Sequence, residues 1–212
     1  AIPAGGISIN GQNPTSGSGD SLVLTNSGAN PTSVTHNFTS ASDGSVDIDG
    51  KSITYTGLEP VDDNLNAATR VFNFTGGAED ITLSLDGAGP NLLIDSTLGE
   101  SVTFPAPTSS LTITGSTGDT LSISTAVSIP SGTVTLNVPT LTLSAPITTG
   151  TVSGTATSVT VNAGGKIQNG IDAAVAGATV HIGTGTFNQS GITIAKALTL
   201  SGAGASHTFI DE

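Results

Sequence analysis

Asp43, Asp47 and Asp49, followed at once by Gly50, form the spacing in this chain best suited to chemistry. In an extended segment Asp47 and Asp49 stand at i and i+2 on one face, and hard carboxylate oxygens suit Ca²⁺, so these three residues are the candidate metal ligands and calcium the candidate cofactor. The run Ser45-x-Asp47-x-Asp49-Gly50 imitates the first half of an EF-hand loop, but the closing bidentate Glu would fall at Thr56, and Glu59 misses it. The competing reading is a solvated acidic hairpin. Asp62-Asp63-Asn64 is a second acidic candidate and reads more simply as a turn.

Acid–base chemistry needs a positioned donor and acceptor, and Lys51, Arg70, Lys166 and Lys196 are the only cationic side chains. His36 and His181 alternate with apolar neighbours and are expected to point outward or sit at corners. With a net charge of −12 and no basic stripe, nucleic acid is excluded as a partner. No apolar run approaches the roughly 18 residues of a membrane span, so no membrane insertion is expected. The chain has no cysteine, which removes disulfides without fixing a compartment.

The core must be built from small aliphatic side chains, because aromatics are only 3%, Trp and Met are absent, and Ser and Thr exceed a quarter of the chain. Stacked β rungs meet that requirement. Twelve of the sixteen acids precede Pro105. There, strands are expected at Leu22–Thr25, Val34–Thr39, Ser52–Thr56, Val71–Phe74, Ile81–Leu85 and Val102–Phe104, with turns at Asp43-Gly44, Asp49-Gly50, Gly76-Gly77 and Asp86-Gly87. From Ser109 the chain becomes short β units, LTITG, LSIS, VSI, VTLNV, LTLSA and SVTVN. Two domains are therefore expected: an acidic β-rich module over 1–105, sandwich or solenoid-like, and a β-solenoid segment over 106–212. The fold class is all-β, a parallel β-helix or β-solenoid with a short capping helix near 166–176.

That helix follows from Ile167, Ile171, Ala174 and Val175 at i, i+4, i+7 and i+8, with Gly177 as its stop. Beyond it Val180 and Ile182, Ile192 and Ile194, and Leu198 and Leu200 alternate with period two. The order of residues over 165–203 resembles the N-terminal capping unit of right-handed parallel β-helices of the pectin-lyase-like class. The match rests on Ile167-Gln168-x-x-Ile171-Asp172-Ala173-Ala174, on Gly185-Thr186-Phe187 and on Lys196-Ala197-Leu198-Thr199-Leu200, and it departs at Ala178, where that class usually has Asp. Enzymes of the class use a basic proton acceptor beside clustered acids that hold calcium. Here Lys166 and Lys196 lie in the capping unit itself, so the chain is not expected to be an enzyme.

Two further resemblances bear on setting. Gly115-Ser116-Thr117-Gly118-Asp119-Thr120-Leu121 resembles a single worn copy of the glycine–aspartate calcium-roll repeat, and one copy cannot build a roll. Residues 5–125 are similar to a module of very large secreted repeat proteins of aquatic bacteria, which implies an extracellular or cell-surface location. Ala1 and the rung-like HTFIDE end point to a piece of a longer polypeptide. The expected function is a structural segment of a fibrous or cell-surface protein that self-associates into a filament or matrix. The alternatives are an adhesin-like module that binds polysaccharide and a polysaccharide lyase.

Overall fold

The computed structural model describes residues 2–11, 20–26, 28–87 and 89–211. In chain order the strands are β1 (Ile7–Asn10), β2 (Asp20–Leu24), β3 (Ser33–Phe38), β4 (Gly44–Ile48), β5 (Lys51–Thr56), β6 (Leu58–Asp63), β7 (Thr69–Phe74), β8 (Asp80–Leu85), β9 (Leu92–Ser96) and β10 (Val102–Phe104). They continue as β11 (Ser110–Thr114), β12 (Thr120–Ile123), β13 (Val127–Asn137), β14 (Thr140–Leu143), β15 (Ile147–Gly154) and β16 (Ala156–Val161). Helix α1 (Ile167–Ala173) then precedes β17 (Ala174–Ile182), β18 (Gly185–Asn188), β19 (Thr199–Gly202) and β20 (Thr208–Asp211). The fold is all-β with long mixed sheets. One sheet runs β1-β5-β4-β3-β7-β11-β13-β15, a second runs β19-β17-β16-β14-β12-β8-β9-β10-β6-β2, and β18 pairs β20.

From β11 to β16 the chain alternates between the two large sheets, and these strands, like β17 and β19 of the second sheet, pair in parallel with the corresponding strand of the preceding turn. Leu111 lies beside Val134 and Val134 beside Val152 in the first sheet. In the second, Leu121, Leu141, Val159, Val180 and Leu200 form one continuous row. Each step in these rows advances the chain by 18–23 residues. Along β11, β12 and β14 the apolar side chains are buried and the intervening Thr and Ser are half-buried, as in Leu111-Thr112-Ile113 and Leu141-Thr142-Leu143. Each Val, Leu or Ile removed from water in this way contributes about 1.5–3 kcal/mol. Both sheets feed one core, and this explains how a chain with so few aromatics folds.

Among the described residues antiparallel pairing is confined to the first part of the chain. Strands β3, β4 and β5 form a meander in the first sheet, and β8, β9 and β10 form another in the second. Asp49 (φ 51°) and Gly50 (φ 78°) make the two-residue turn between β4 and β5, where positive φ at both positions matches the twist of the strands. These meanders lengthen the connections before residue 105, which is why the two parts of the sequence differ in texture. The sheets themselves continue across that point, since β7 pairs β11 and β8 pairs β12.

All six strands expected before residue 105 are present; β1 and β4, which alternate as Ile7-Ser8-Ile9 and Val46-Asp47-Ile48, were not anticipated, and β6, β9 and β15 lack a clean alternation of apolar residues and come from tertiary pairing. The helix is shorter than its periodicity implies: it ends at Ala173, and Ala174 is already extended (φ −75°, ψ 148°) because it pairs with Ala156. The register of β17 against β16 then shifts between Ala156 and Ser158. Gly177 (φ 86°) accordingly serves this irregularity within β17 instead of stopping the helix. Ile192 and Ile194 lie in an irregular segment, not a strand, and Ile194 is exposed.

Candidate functional site

The three candidate calcium ligands each hold a different turn. Asp43 Oδ1 accepts a hydrogen bond from the Gly57 N–H at 3.0 Å, and Asp47 Oδ1 accepts one from the Gly50 N–H at 2.8 Å. Asp49 Oδ1 accepts from the N–H groups of Thr32 and Ser33 at 3.0 and 2.9 Å. Among the described residues no group of three or more Asp, Glu, His or Cys side chains converges as a metal-binding set. The expectation of a shared ion therefore rests on the sequence pattern alone.

Ionisable side chains do converge where the sequence left them separate. Asp63, Arg70 and His36 are all fully buried. Arg70 Nη1 donates to Asp63 Oδ2 and its Nη2 to Asp63 Oδ1 at 3.3 Å, while Nε reaches the Pro105 carbonyl at 3.2 Å and Nη2 also reaches that of Leu65. His36 Nε2 lies 3.0 Å from Asp63 Oδ2, and the Leu65 N–H donates to Asp63 Oδ1 at 3.0 Å. The expectation that His36 points outward fails because the even-numbered residues of β3, Val34, His36 and Phe38, face the core. His181 is exposed, as expected.

Parallel register makes this cluster part of an aromatic stack. His36 pairs with Phe72 and Phe38 with Phe74, so the rings lie over one another with centroids 5.1 and 4.6 Å apart. Those distances follow from the inter-strand spacing of a sheet. Phe104 packs on Phe72 at 4.7 Å, and the Arg70 guanidinium stands 5.3 Å from the Phe104 ring centre. With every member sealed from solvent, the cluster cannot receive a substrate. It acts as a polar fastener joining β3, β6 and β7 to the loop after β10.

Burial pushes the His36 imidazole below its ordinary value, against the opposing pull of Asp63. The neutral ring, with Nε2–H donating to Asp63, leaves Nδ1 buried without a hydrogen bond. A folded-state value below 6.5 means that the unfolded chain binds the proton more readily. The stability contributed by neutral His36 is thus complete above pH 6.5 and is lost as pH falls below it. In denaturant titrations between pH 5 and 7 the wild-type chain is expected to weaken towards pH 5 with a slope that His36→Gln reduces. Equal slopes for the two proteins would refute this assignment.

Asp119, from the glycine–aspartate segment, is fully buried and works as a corner brace: Oδ1 accepts from the Glu79 N–H at 3.0 Å and Oδ2 from that of Ser116. Glu79 accepts a hydrogen bond from the Ser96 hydroxyl. Burial, and to a lesser extent the nearby Asp119 charge, raise its carboxyl above the ordinary value. These contacts tie the β7–β8 and β11–β12 corners to the β9–β10 meander.

Around α1 the residues of the capping pattern act together. Ile167, Ile171 and Ala173 are buried, and Gly170 lies so close to Val161 that a Cβ there would meet its methyl at 2.6 Å. Asn169 Oδ1 accepts the Ile147 N–H at 3.0 Å, so the helix covers part of the outer edge of β15. The segment after β18 clamps the helix. Gln189 Oε1 accepts the Ile167 N–H at 2.7 Å, Gln168 holds both main-chain groups of Thr193, and the Lys196 ammonium donates to the Asp172 and Ala174 carbonyls at the helix C-terminus. A cation there also meets the negative end of the helix dipole. Between β15, α1 and residues 188–192 lies an open groove of about 650 Å³.

No described helix is long and apolar enough to cross a membrane. Comparison with known proteins gave no match among family models, curated proteins or solved structures.

Proposed function

We propose that the chain is a β-solenoid segment of an extracellular fibrous or cell-surface protein whose work is mechanical spacing and self-association through strand pairing. The observation that carries this reading is that five of the eight exposed large apolar side chains among the described residues lie on edge strands. Ile7 (β1), Val23 (β2), Leu200 (β19), and Phe209 and Ile210 (β20) are exposed, and each stands on a strand at the edge of its sheet. Edge strands that stay monomeric are usually guarded by charge, proline or a covering element. Strands β1 and β19 carry no charged residue, and β2 and β20 carry one Asp each.

Pairing between different edges of two copies is heterologous and generates filaments when it does not close. The stacked 18–23-residue turns support the solenoid reading, because a further strand added to an open edge such as β19 extends the sheet it joins. Apolar rung contacts and main-chain hydrogen bonds would carry the joint, so moderate salt is expected to leave it intact. The double variant Leu200→Lys/Ile210→Lys is expected to abolish assembly in light scattering while retaining the wild-type melting temperature. Assembly undiminished in this variant would refute pairing through β19 and β20.

A further inference from the structure

We infer that the groove between β15 and α1 is a binding site for a neutral, unbranched polysaccharide, a function beyond self-association. Each of its two walls combines polar groups with an aliphatic side chain, which suits a sugar chain. Along β15, Thr148 and Thr151 are exposed and Val152 is half-buried; across the groove stand exposed Asn188 and half-buried Asp172 and Ile192. Hydroxyl, amide and carboxylate groups match the paired donors and acceptors of vicinal sugar hydroxyls, and Val152 and Ile192 offer aliphatic surface to the C–H face of a ring.

The polar wall is pre-organised. Gln168 Nε2 donates to Asp172 Oδ1 at 2.7 Å while its own amide is fixed on the Thr193 main chain, so the carboxylate is oriented before any ligand arrives. Holding the site in shape beforehand lowers the entropic cost of binding. Asp172 and Lys166 are the charged groups of the groove and balance each other. The chain as a whole carries −12, which repels acidic polysaccharides and favours neutral ones. A strand from another chain fits less well, because Asn169 already occupies the Ile147 N–H and α1 stands against that edge.

The test is calorimetric titration of the whole chain with maltoheptaose, cellohexaose, laminarihexaose and mannohexaose, and with polygalacturonate as the acidic control. At least one neutral oligosaccharide is expected to bind with a dissociation constant below 1 mM, roughly −4 kcal/mol or better. The triple variant Thr148→Val/Thr151→Val/Asn188→Ala, all at exposed positions, is expected to weaken that binding at least tenfold with an unchanged melting temperature. Asp172→Asn, which preserves shape, is expected to weaken it as well. Absence of binding by all four neutral probes, preference for polygalacturonate, or binding that the triple variant leaves intact would each overturn the inference. So would loss of self-association in the triple variant, which would mark the groove as a seat for a strand of a second copy. Filament formation by the wild-type chain is measured separately, so failure of the groove and failure of the assembly reading are distinguishable.

Discussion

Replacing Asp63 with Ala is expected to lower the unfolding free energy by about 3–5 kcal/mol, because the change strands the Arg70 guanidinium inside the protein. Arg70 is fully buried, and of the acceptors it meets only Asp63 carries a charge. The same substitution removes the partner of His36 Nε2 and the acceptor of the Leu65 N–H. Replacing Asp63, Arg70 and His36 together with apolar residues of similar volume is expected to cost much less, since no charge is then left buried. Chemical denaturation of the single and triple variants checks both statements. A single-variant loss below about 1 kcal/mol, the range of exposed ion pairs, would show that the cluster does not fasten the strands.

Ile171→Asp is expected to be comparably severe, at about 4–6 kcal/mol, because it removes a buried aliphatic side chain and places a carboxylate without a partner in the same space. Ile171 is 1% exposed, on the face of α1 that packs on the core. The conservative Ile171→Val should cost only about 0.5–1.5 kcal/mol. Hydrogen exchange locates the damage: in the Asp variant, amides of β15, β16 and β17, the strands that touch the helix, are expected to lose protection before those of β3 and β7. Retained protection in β15 to β17 would contradict the covering role given to the helix.

The period-two rows were readable in the sequence because each buried strand carries its own alternation, as Leu111-Thr112-Ile113 does. Strand β15 was not, since Ile147-Thr148-Thr149-Gly150 has no second apolar residue in phase and is held by β13. Helix α1 was legible through Ile167 and Ile171, but its end was set by the pairing of Ala174 with Ala156, a contact with no local signature. For the candidate sites the difference is sharper. Asp43, Asp47 and Asp49 lie close together in sequence, yet each is committed to a different stretch of backbone. Asp63 read as a turn residue and Arg70 as one of four cations; the parallel register of β3 on β7 brings Arg70 near His36, and Asp63 meets both from β6 of the other large sheet. The even spacing of His36 with Val34 and Phe38 was the one local sign that the imidazole faces inward.

In the proposed self-association, parallel turns of this chain stack on copies of themselves through unguarded strand edges. X-ray diffraction from aligned specimens of the assembled protein tests it most directly, because the strand separation of about 4.7–4.9 Å then lies along the filament axis. A reflection at that spacing parallel to the long axis is expected. A reflection perpendicular to it, or a chain that remains a monodisperse monomer at high concentration and yields no filaments to align, would contradict stacking through strand edges.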